Sequence, residues 1–403
     1  MIDPLREQDI EKEYARLRLT KVGSLGDMTA EYQGRDIPVF GGIDGELVDA
    51  RIYRFKRRRI EIVMAMVVDV IESSKSRISP PCSYFGNCSG CQWQHIDYPY
   101  QLELKKRIVL QEFSSYQSLS AVEVLDVISS PSQFFYRNHA RFTVRFGGQL
   151  GFSNRITRRF VRIDECMLMS EKINETLAEL QDKSSETTNL SVRVGINTDD
   201  LLIQPTLLNP DIALETGQRW YVEKMKGRKF RVASPSFFQV NTVQAENMID
   251  IVGDLLNLTG RETLVDAYAG VGTFAILLSD RASKVIAIEE SSSAVEDAKF
   301  IAENIEKVHF VLGRTEDVMA DLNTEIDALI LDPPRVGCHP DALEAILRYT
   351  PKKIAYVSCD PSTLARDLDI LLQGDYLIDH VQPIDMFPQT YHVECVVSLS
   401  LKD

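Results

Sequence analysis

Nowhere in the 403 residues is there a run of about 18 apolar residues, and the first stretch, MIDPLREQDIEKEYARL, has mixed charge and no apolar core of signal-peptide length. These absences argue against a membrane span and a secreted protein, and point to a reducing cytoplasm. An excess of positive charge is also missing: the formal net charge of −14 excludes a protein that coats nucleic acid indiscriminately, though not one with a local basic surface. Seven cysteines, an odd number, fit thiols, metal ligands and catalysis better than a disulfide framework. No repeat or low-complexity tract is visible, and the length suits two or three domains.

What is present changes character along the chain. Residues 13–72 read as five short strands with Gly or Asp between them, the pattern of a small OB-like barrel. Arg51, Arg54, Lys56, Arg57, Arg58 and Arg59 crowd one of its hairpins, either as a solvated edge or as a phosphate-contacting patch. SSKSRISPP reads as a linker, and PYQLELKKRIVLQEFSSY as a helix over about 98–118. From about 120 to 235 strand-like stretches dominate. Seven arginines between Arg137 and Arg162 are interspersed there with Phe and Tyr, which suits phosphates and unpaired bases. Beyond 236, buried strands alternate with helices, which implies a parallel sheet with ligands at the carboxyl ends of its strands.

LVDAYAGVGTF runs a strand into a glycine turn and a helix, and Glu289 ends the next strand, where a carboxylate can hold ribose hydroxyls. Only one such half is present, which suits a single-nucleoside cofactor, S-adenosylmethionine, before NAD; spacing alone does not exclude a pyrophosphate. The DPPR turn at Asp332–Arg335 is compatible with adenine amino-methylation. YVSCDP, however, puts Cys359 at the end of another buried strand. A thiolate there could add to carbon 6 of a uracil and make carbon 5 nucleophilic. The later loss of the carbon 5 proton needs a base, for which Glu394 in HVEC is the candidate. Cys395 should face the core, and Cys338 has no assigned role.

FFQVN, DAYAGVGTF, DPPRVGC, VSCDP and HVEC occur in that order, and together they resemble the RNA uridine-5 methyltransferase family, specifically its iron-sulfur branch acting on 23S ribosomal RNA. The resemblance implies a Rossmann-like α/β methyltransferase domain at 236–403, an N-terminal TRAM barrel at 1–74 and a central, mainly β domain at 75–235, with the helix near 98–118 packed on the methyltransferase domain. It assigns Cys359 as nucleophile and Glu394 as proton acceptor. Gln239, Tyr268, Thr273, Glu289 and Asp332 become contacts to S-adenosylmethionine, Thr273 standing where relatives often carry Asn. It also implies that Phe237 stacks on a base; the arginine patterns described above, not the resemblance, offer Arg137, Arg57 and Arg58 as RNA contacts. Cys82, Cys88 and Cys91, in C-x5-C-x2-C spacing, could with Cys166 hold zinc; the resemblance favours a [4Fe-4S] cluster with four protein ligands. The expected partner is RNA, with no membrane, and the protein is expected to be a monomer. The T-loop uridine of transfer RNA is the alternative substrate, and a non-catalytic iron-sulfur RNA-binding protein the alternative class.

Overall fold

The computed structural model describes residues 13–57, 60–154, 157–322 and 324–402; Arg58 lies outside the described residues, and nothing follows for the Arg57 side chain. Near the N-terminus β1 (Glu13–Arg18), β2 (Met28–Tyr32), β3 (Arg35–Phe40), β4 (Leu47–Arg57) and β5 (Ile60–Glu72) form a five-stranded sheet in the order β1-β4-β5-β3-β2. Alternate residues such as Ile37, Val39, Val48, Ala50 and Ala65 point inward, and the outer strands meet where Thr20 N donates to Thr29 O and Thr29 N to Lys21 O. The sheet thereby curls toward a barrel. Its β2–β3 turn, Gln33-Gly34, has positive φ at both positions (52° and 75°), as a tight two-residue hairpin requires. Arg54 is paired with Glu13, and Arg51 lies over the Tyr53 ring, so part of the basic hairpin is neutralised within the barrel.

SSKSRISPP is not a free linker. Arg77 donates to both oxygens of the buried Glu46 carboxylate, which docks the segment on the barrel. Helix α1 (Tyr98–Phe113), capped by Asp97, follows. Its Leu104 joins the barrel core with Trp93 and Ile96, whereas Val109 and Phe113 pack beneath the C-terminal sheet. One helix thus ties the two ends of the chain together.

The middle of the chain contributes β6 (His139–Arg145), β7 (Gln149–Ser153), β8 (Phe160–Arg162), α2 (Glu171–Leu180), β9 (Asn189–Val194) and β10 (Leu201–Gln204). The strands make an antiparallel sheet ordered β10-β9-β6-β7-β8, on which α2 packs Ile173, Leu177 and Leu180. That helix is absent from the sequence reading. The hairpin of β11 (Trp220–Met225) and β12 (Arg228–Ala233) falls in the stretch read as central, yet Tyr221, Met225, Phe230 and Val232 are buried in one core with α3 (Thr242–Leu256).

The remaining elements alternate: β13 (Thr263–Asp266), α4 (Thr273–Leu277), β14 (Lys284–Glu289), α5 (Ser292–Ile301), β15 (Val308–Leu312), α6 (Thr315–Ala320), β16 (Ala328–Leu331), α7 (Pro340–Tyr349), β17 (Lys353–Ser358), α8 (Pro361–Leu371), β18 (Tyr376–Ile384) and β19 (Glu394–Leu401). They build a seven-stranded sheet ordered β15-β14-β13-β16-β17-β19-β18, in which β19 alone runs against the others, antiparallel to both its neighbours β17 and β18. Apolar clusters cover both faces, so its polar loops gather at the carboxyl ends of the parallel strands. No helix among the described residues is long and apolar enough to cross a membrane.

Candidate active site

A cleft of about 1010 Å³ opens over those carboxyl ends, and Gln239, Tyr268, Thr273, Glu289, Asp332, Cys359 and Glu394 all line it. The glycine turn forms one wall. Gly272, at φ 83°, precedes α4, where an added Cβ would meet the Phe310 ring at 2.7 Å, so glycine is required there. Asp266 Oδ2 accepts from Ala275 N beneath the turn, and the two Glu289 oxygens accept from Gly270 N (2.8 Å) and Ser291 N (2.7 Å). A carboxylate has about four acceptor sites, so Glu289 can still receive two hydroxyls.

The floor of the cleft is acidic. Burial pushes Asp332 up to about 7, and burial together with the Asp332 charge does the same to Asp266. Among the described residues Asp266 Oδ1, just beneath the cleft, is buried without a hydrogen-bond partner, and the Tyr268 hydroxyl, in the cleft wall, has only the Cys338 thiol beside it. The Glu289 and Asp332 carboxylates in the lining suit a cationic, hydroxyl-bearing ligand; a pyrophosphate would meet like charge. S-adenosylmethionine, with its sulfonium and ammonium charges, fits this set.

Cys359 and Glu394 come together through strand register. Ser358 pairs with Cys395 across β17 and β19, so one step further along the ladder sets Cys359 opposite Glu394 on the other face. Cys395 accordingly turns into the core and is fully buried. Asp360 caps α8 by accepting from Ser362 N and Thr363 N, which fixes the backbone immediately after Cys359. Burial, then the Glu394 charge, raises the Cys359 thiol to about 11, and the Arg335 guanidinium opposes this. Burial, then Asp332, holds Glu394 well above the usual carboxylate range, again opposed by Arg335.

Arg335 is the main residue to which sequence reasoning gave no role, although it ends the DPPR motif. Phe387 and His392, in the loop between β18 and β19, also line the cleft, their ring centroids 5.9 Å apart. Nothing in their local sequence announces this. Phe237 is 70% exposed at the cleft rim because the adjacent Phe238 is anchored in the core against Phe230. Arg137 is half-buried: it lies over the Tyr136 and Phe387 rings and lines both this cleft and a second cavity.

That second cavity, of about 100 Å³, is lined by Cys82, Cys88, Cys91 and Cys166. Gly90 N donates to Cys88 Sγ and Gln94 Nε2 to Cys91 Sγ, and burial pushes the Cys88 and Cys91 thiols up to about 11 and about 12. Among the described residues no three His, Cys, Asp or Glu side chains close on one point as a single metal ion requires. The four thiols surround a common void, and N–H donors are aimed at two of them.

Residues 218–402 match the family model described as tRNA (Uracil-5-)-methyltransferase, a match that begins at the β11–β12 hairpin. Proteins described as uncharacterized RNA methyltransferases are similar over nearly the whole chain. Those of Gloeobacter violaceus and Synechocystis sp. are each 32% identical, covering 94% and 95% of this chain and 95% of each relative; that of Thermotoga maritima is 32% identical over 91% of this chain and 94% of its own. Among solved structures, the Pyrococcus abyssi tRNA (uracil-54, C5)-methyltransferase in complex with S-adenosyl-L-homocysteine superposes with a TM-score of 0.73 at 25% identity, covering 96% of this chain and all of that one. With the acidic cofactor cleft, these similarities make the chain an S-adenosylmethionine-dependent RNA methyltransferase belonging to the RNA (uracil-5-)-methyltransferase family.

Proposed function

We propose that the protein methylates carbon 5 of a uridine in 23S ribosomal RNA through a covalent bond between Cys359 and the base. The observation that carries this reading is the register that sets Cys359 opposite Glu394 at the cofactor cleft. The Cys359 thiolate adds to carbon 6, and the electron pair of the 5,6 double bond moves toward the carbon 4 oxygen as an enolate. S-adenosylmethionine supplies an electrophilic methyl group on a sulfonium sulfur that leaves as a neutral thioether. Carbon 5 then carries both methyl and hydrogen. Glu394 takes that proton, the 5,6 double bond re-forms, and the thiolate is expelled; the raised pKa of Glu394 makes its carboxylate a stronger base for a carbon acid. Arg335 favours the thiolate electrostatically.

Gln239, Tyr268, Thr273, Glu289 and Asp332 hold the methyl donor in this reading, and Phe237 at the rim stacks on a base turned out of the RNA. Cys82, Cys88, Cys91 and Cys166 hold a [4Fe-4S] cluster, closed to further ligands and structural in its effect; that the four line one cavity supports a shared group, and the family resemblance favours the cluster over zinc. The N-terminal sheet acts as a TRAM barrel contacting phosphates through Arg57 and Arg58, and Arg137 acts from the wall between the two cavities. The methyltransferase unit begins near residue 218, with the barrel and central parts before it, and the protein works as a cytoplasmic monomer.

The N-terminal barrel and the cysteine cluster, which the bacterial transfer RNA branch of the family generally lacks, support ribosomal RNA as substrate. The full-length similarity to a transfer RNA enzyme of Pyrococcus abyssi favours a second reading, in which the T-loop uridine of transfer RNA is methylated. Mapping 5-methyluridine in both RNAs from a deletion strain separates the two. The chemistry is tested by trapping: Glu394→Gln should accumulate a methylated protein–RNA adduct on denaturing gels, and Cys359→Ala should form none. Normal turnover by the Glu394 variant, or an adduct from the Cys359 variant, overturns the assignment.

A further inference from the structure

The β11–β12 hairpin carries Arg219, Lys224, Lys226, Arg228, Lys229 and Arg231, six basic residues within 13 positions of a chain whose net charge is −14. Lys226, Arg228 and Arg231 are paired with Asp250, Asp280 and Asp297, but among the described residues Arg219, Lys224 and Lys229 have no acidic partner. Lys224 and Lys229 are exposed and face each other directly across the two strands, an arrangement that is unfavourable unless an anion relieves it. On the same outward face Trp220 is 48% exposed, and next to it Phe300 of α5 is 59% exposed. Arg231 lies between them, its guanidinium 4.2 Å from the Phe300 ring centroid and 5.5 Å from that of Trp220, held by Asp297. Aromatic faces beside unpaired cations are the elements of a single-stranded nucleic-acid track.

The track runs into the cleft. Trp220 pairs with Ala233 at the end of β12, and the chain continues from there through Pro235 to Phe237, both of which line the cleft. Six residues of strand span about 20 Å, enough for roughly five nucleotides of a single strand.

We propose that the outward face of this hairpin, with Phe300, is a second RNA-binding surface that guides the single-stranded segment flanking the target uridine: Trp220 and Phe300 stack on bases, and Arg219, Lys224 and Lys229 neutralise phosphates. The proposal rests on the RNA reading above and extends it beyond the catalytic cleft. It is tested on the full chain by fluorescence anisotropy with labelled oligouridylates of 4 and 12 nucleotides over a range of salt. Trp220→Ala with Phe300→Ala should weaken binding of the longer RNA about ten-fold. Lys224→Gln with Lys229→Gln should make its log–log salt dependence shallower by about 1.4, two phosphate contacts' worth. Neither pair should change binding of the 4-nucleotide RNA, which fits within the cleft. Unchanged affinity and salt slope on the longer RNA, or equal losses at both lengths, overturn the surface. If the wild-type protein methylates RNA in that event, the proposed reaction stands without it; if the wild type neither binds nor methylates RNA, the reaction falls first and the surface with it.

Discussion

Lys105 of α1 and Asp385, at the start of the loop between β18 and β19, form an ion pair in which both side chains are wholly shielded from solvent. Lys105 also donates to Phe387 O, and Phe387 N to Asp385 Oδ1, so the pair holds a ring that lines the cleft. The same loop is gripped elsewhere. Gln101 and Gln389 bond reciprocally, Tyr136 OH donates to Pro388 O, and Gln92 N and Trp93 N, just after Cys91, donate to Gln389 O. Five residues after Gln389 comes Glu394.

Breaking one side of this pair leaves a buried charge alone. Lys105→Met is therefore expected to lower unfolding free energy by about 3–5 kcal/mol, and the double variant Lys105→Met/Asp385→Leu to recover much of it. Urea denaturation of the three proteins checks this; equal losses in the single and double variants would show that the pair is not the source.

The pair also shows where sequence reading stops. Lys105 and Asp385 are 280 positions apart, and no local pattern announces their contact. The places of Cys359 and Glu394 at the cleft were legible because one directly follows and the other begins a buried strand inside a motif, and strand-end position in an open α/β sheet fixes where a side chain can act. Arg335 was in view but without a role, because its proximity to both groups depends on how three loops converge. Helix α2 was passed over although Ile173, Leu177 and Leu180 have helical spacing, since strand-like runs flank it on both sides. The hairpin at 220–233 reads as another strand pair of the central region; only packing against α3 and α5 joins it to the C-terminal core.

Cofactor affinity should depend on pH. Burial raises Asp332 to about 7, so near neutrality much of it is protonated in the free protein, whereas a sulfonium ligand favours the carboxylate. Affinity for S-adenosylmethionine should rise as pH increases through about 7 and level off above, with proton release on binding. For the free protein the sign is opposite: a carboxyl whose folded pKa is raised binds more protons folded than unfolded, so its contribution to stability falls between the ordinary carboxyl range and about 7. Calorimetry from pH 5.5 to 8.5 measures the binding effect, and Asp332→Asn should flatten it as well as weaken binding about ten- to a hundred-fold. A flat wild-type profile would count against Asp332 as the titrating contact.

Iron content tests the cysteine cavity. Protein purified without oxygen should be brown, with about four irons per chain, and Cys88→Ser should lose both colour and iron. Since Gln92 and Trp93 continue directly from Cys91 to the Gln389 contact, the same variant should loosen the loop before Glu394, seen as faster amide exchange at 386–392. Stoichiometric zinc without acid-labile sulfide would replace the cluster with a single ion.

Arg335 provides the last test, because it bears on both reacting groups with opposite consequences. The Cys359 thiol is raised to about 11 by burial and by Glu394, and Arg335 is the cation that pulls it down. Removing that charge should leave less thiolate at a given pH. In Arg335→Ala, alkylation of Cys359 by iodoacetamide at pH 8 should slow about ten-fold, and its pH midpoint should move upward. Arg335 also lowers Glu394, so in the same variant that carboxylate, once ionised, is the stronger base. The two effects are separable: combined with Glu394→Gln, the Arg335→Ala change should slow formation of the trapped adduct without changing the fraction that finally accumulates. Arg335→Lys, which retains the charge, should restore most of the alkylation rate. An unchanged alkylation profile in Arg335→Ala would mean that another group activates the nucleophile.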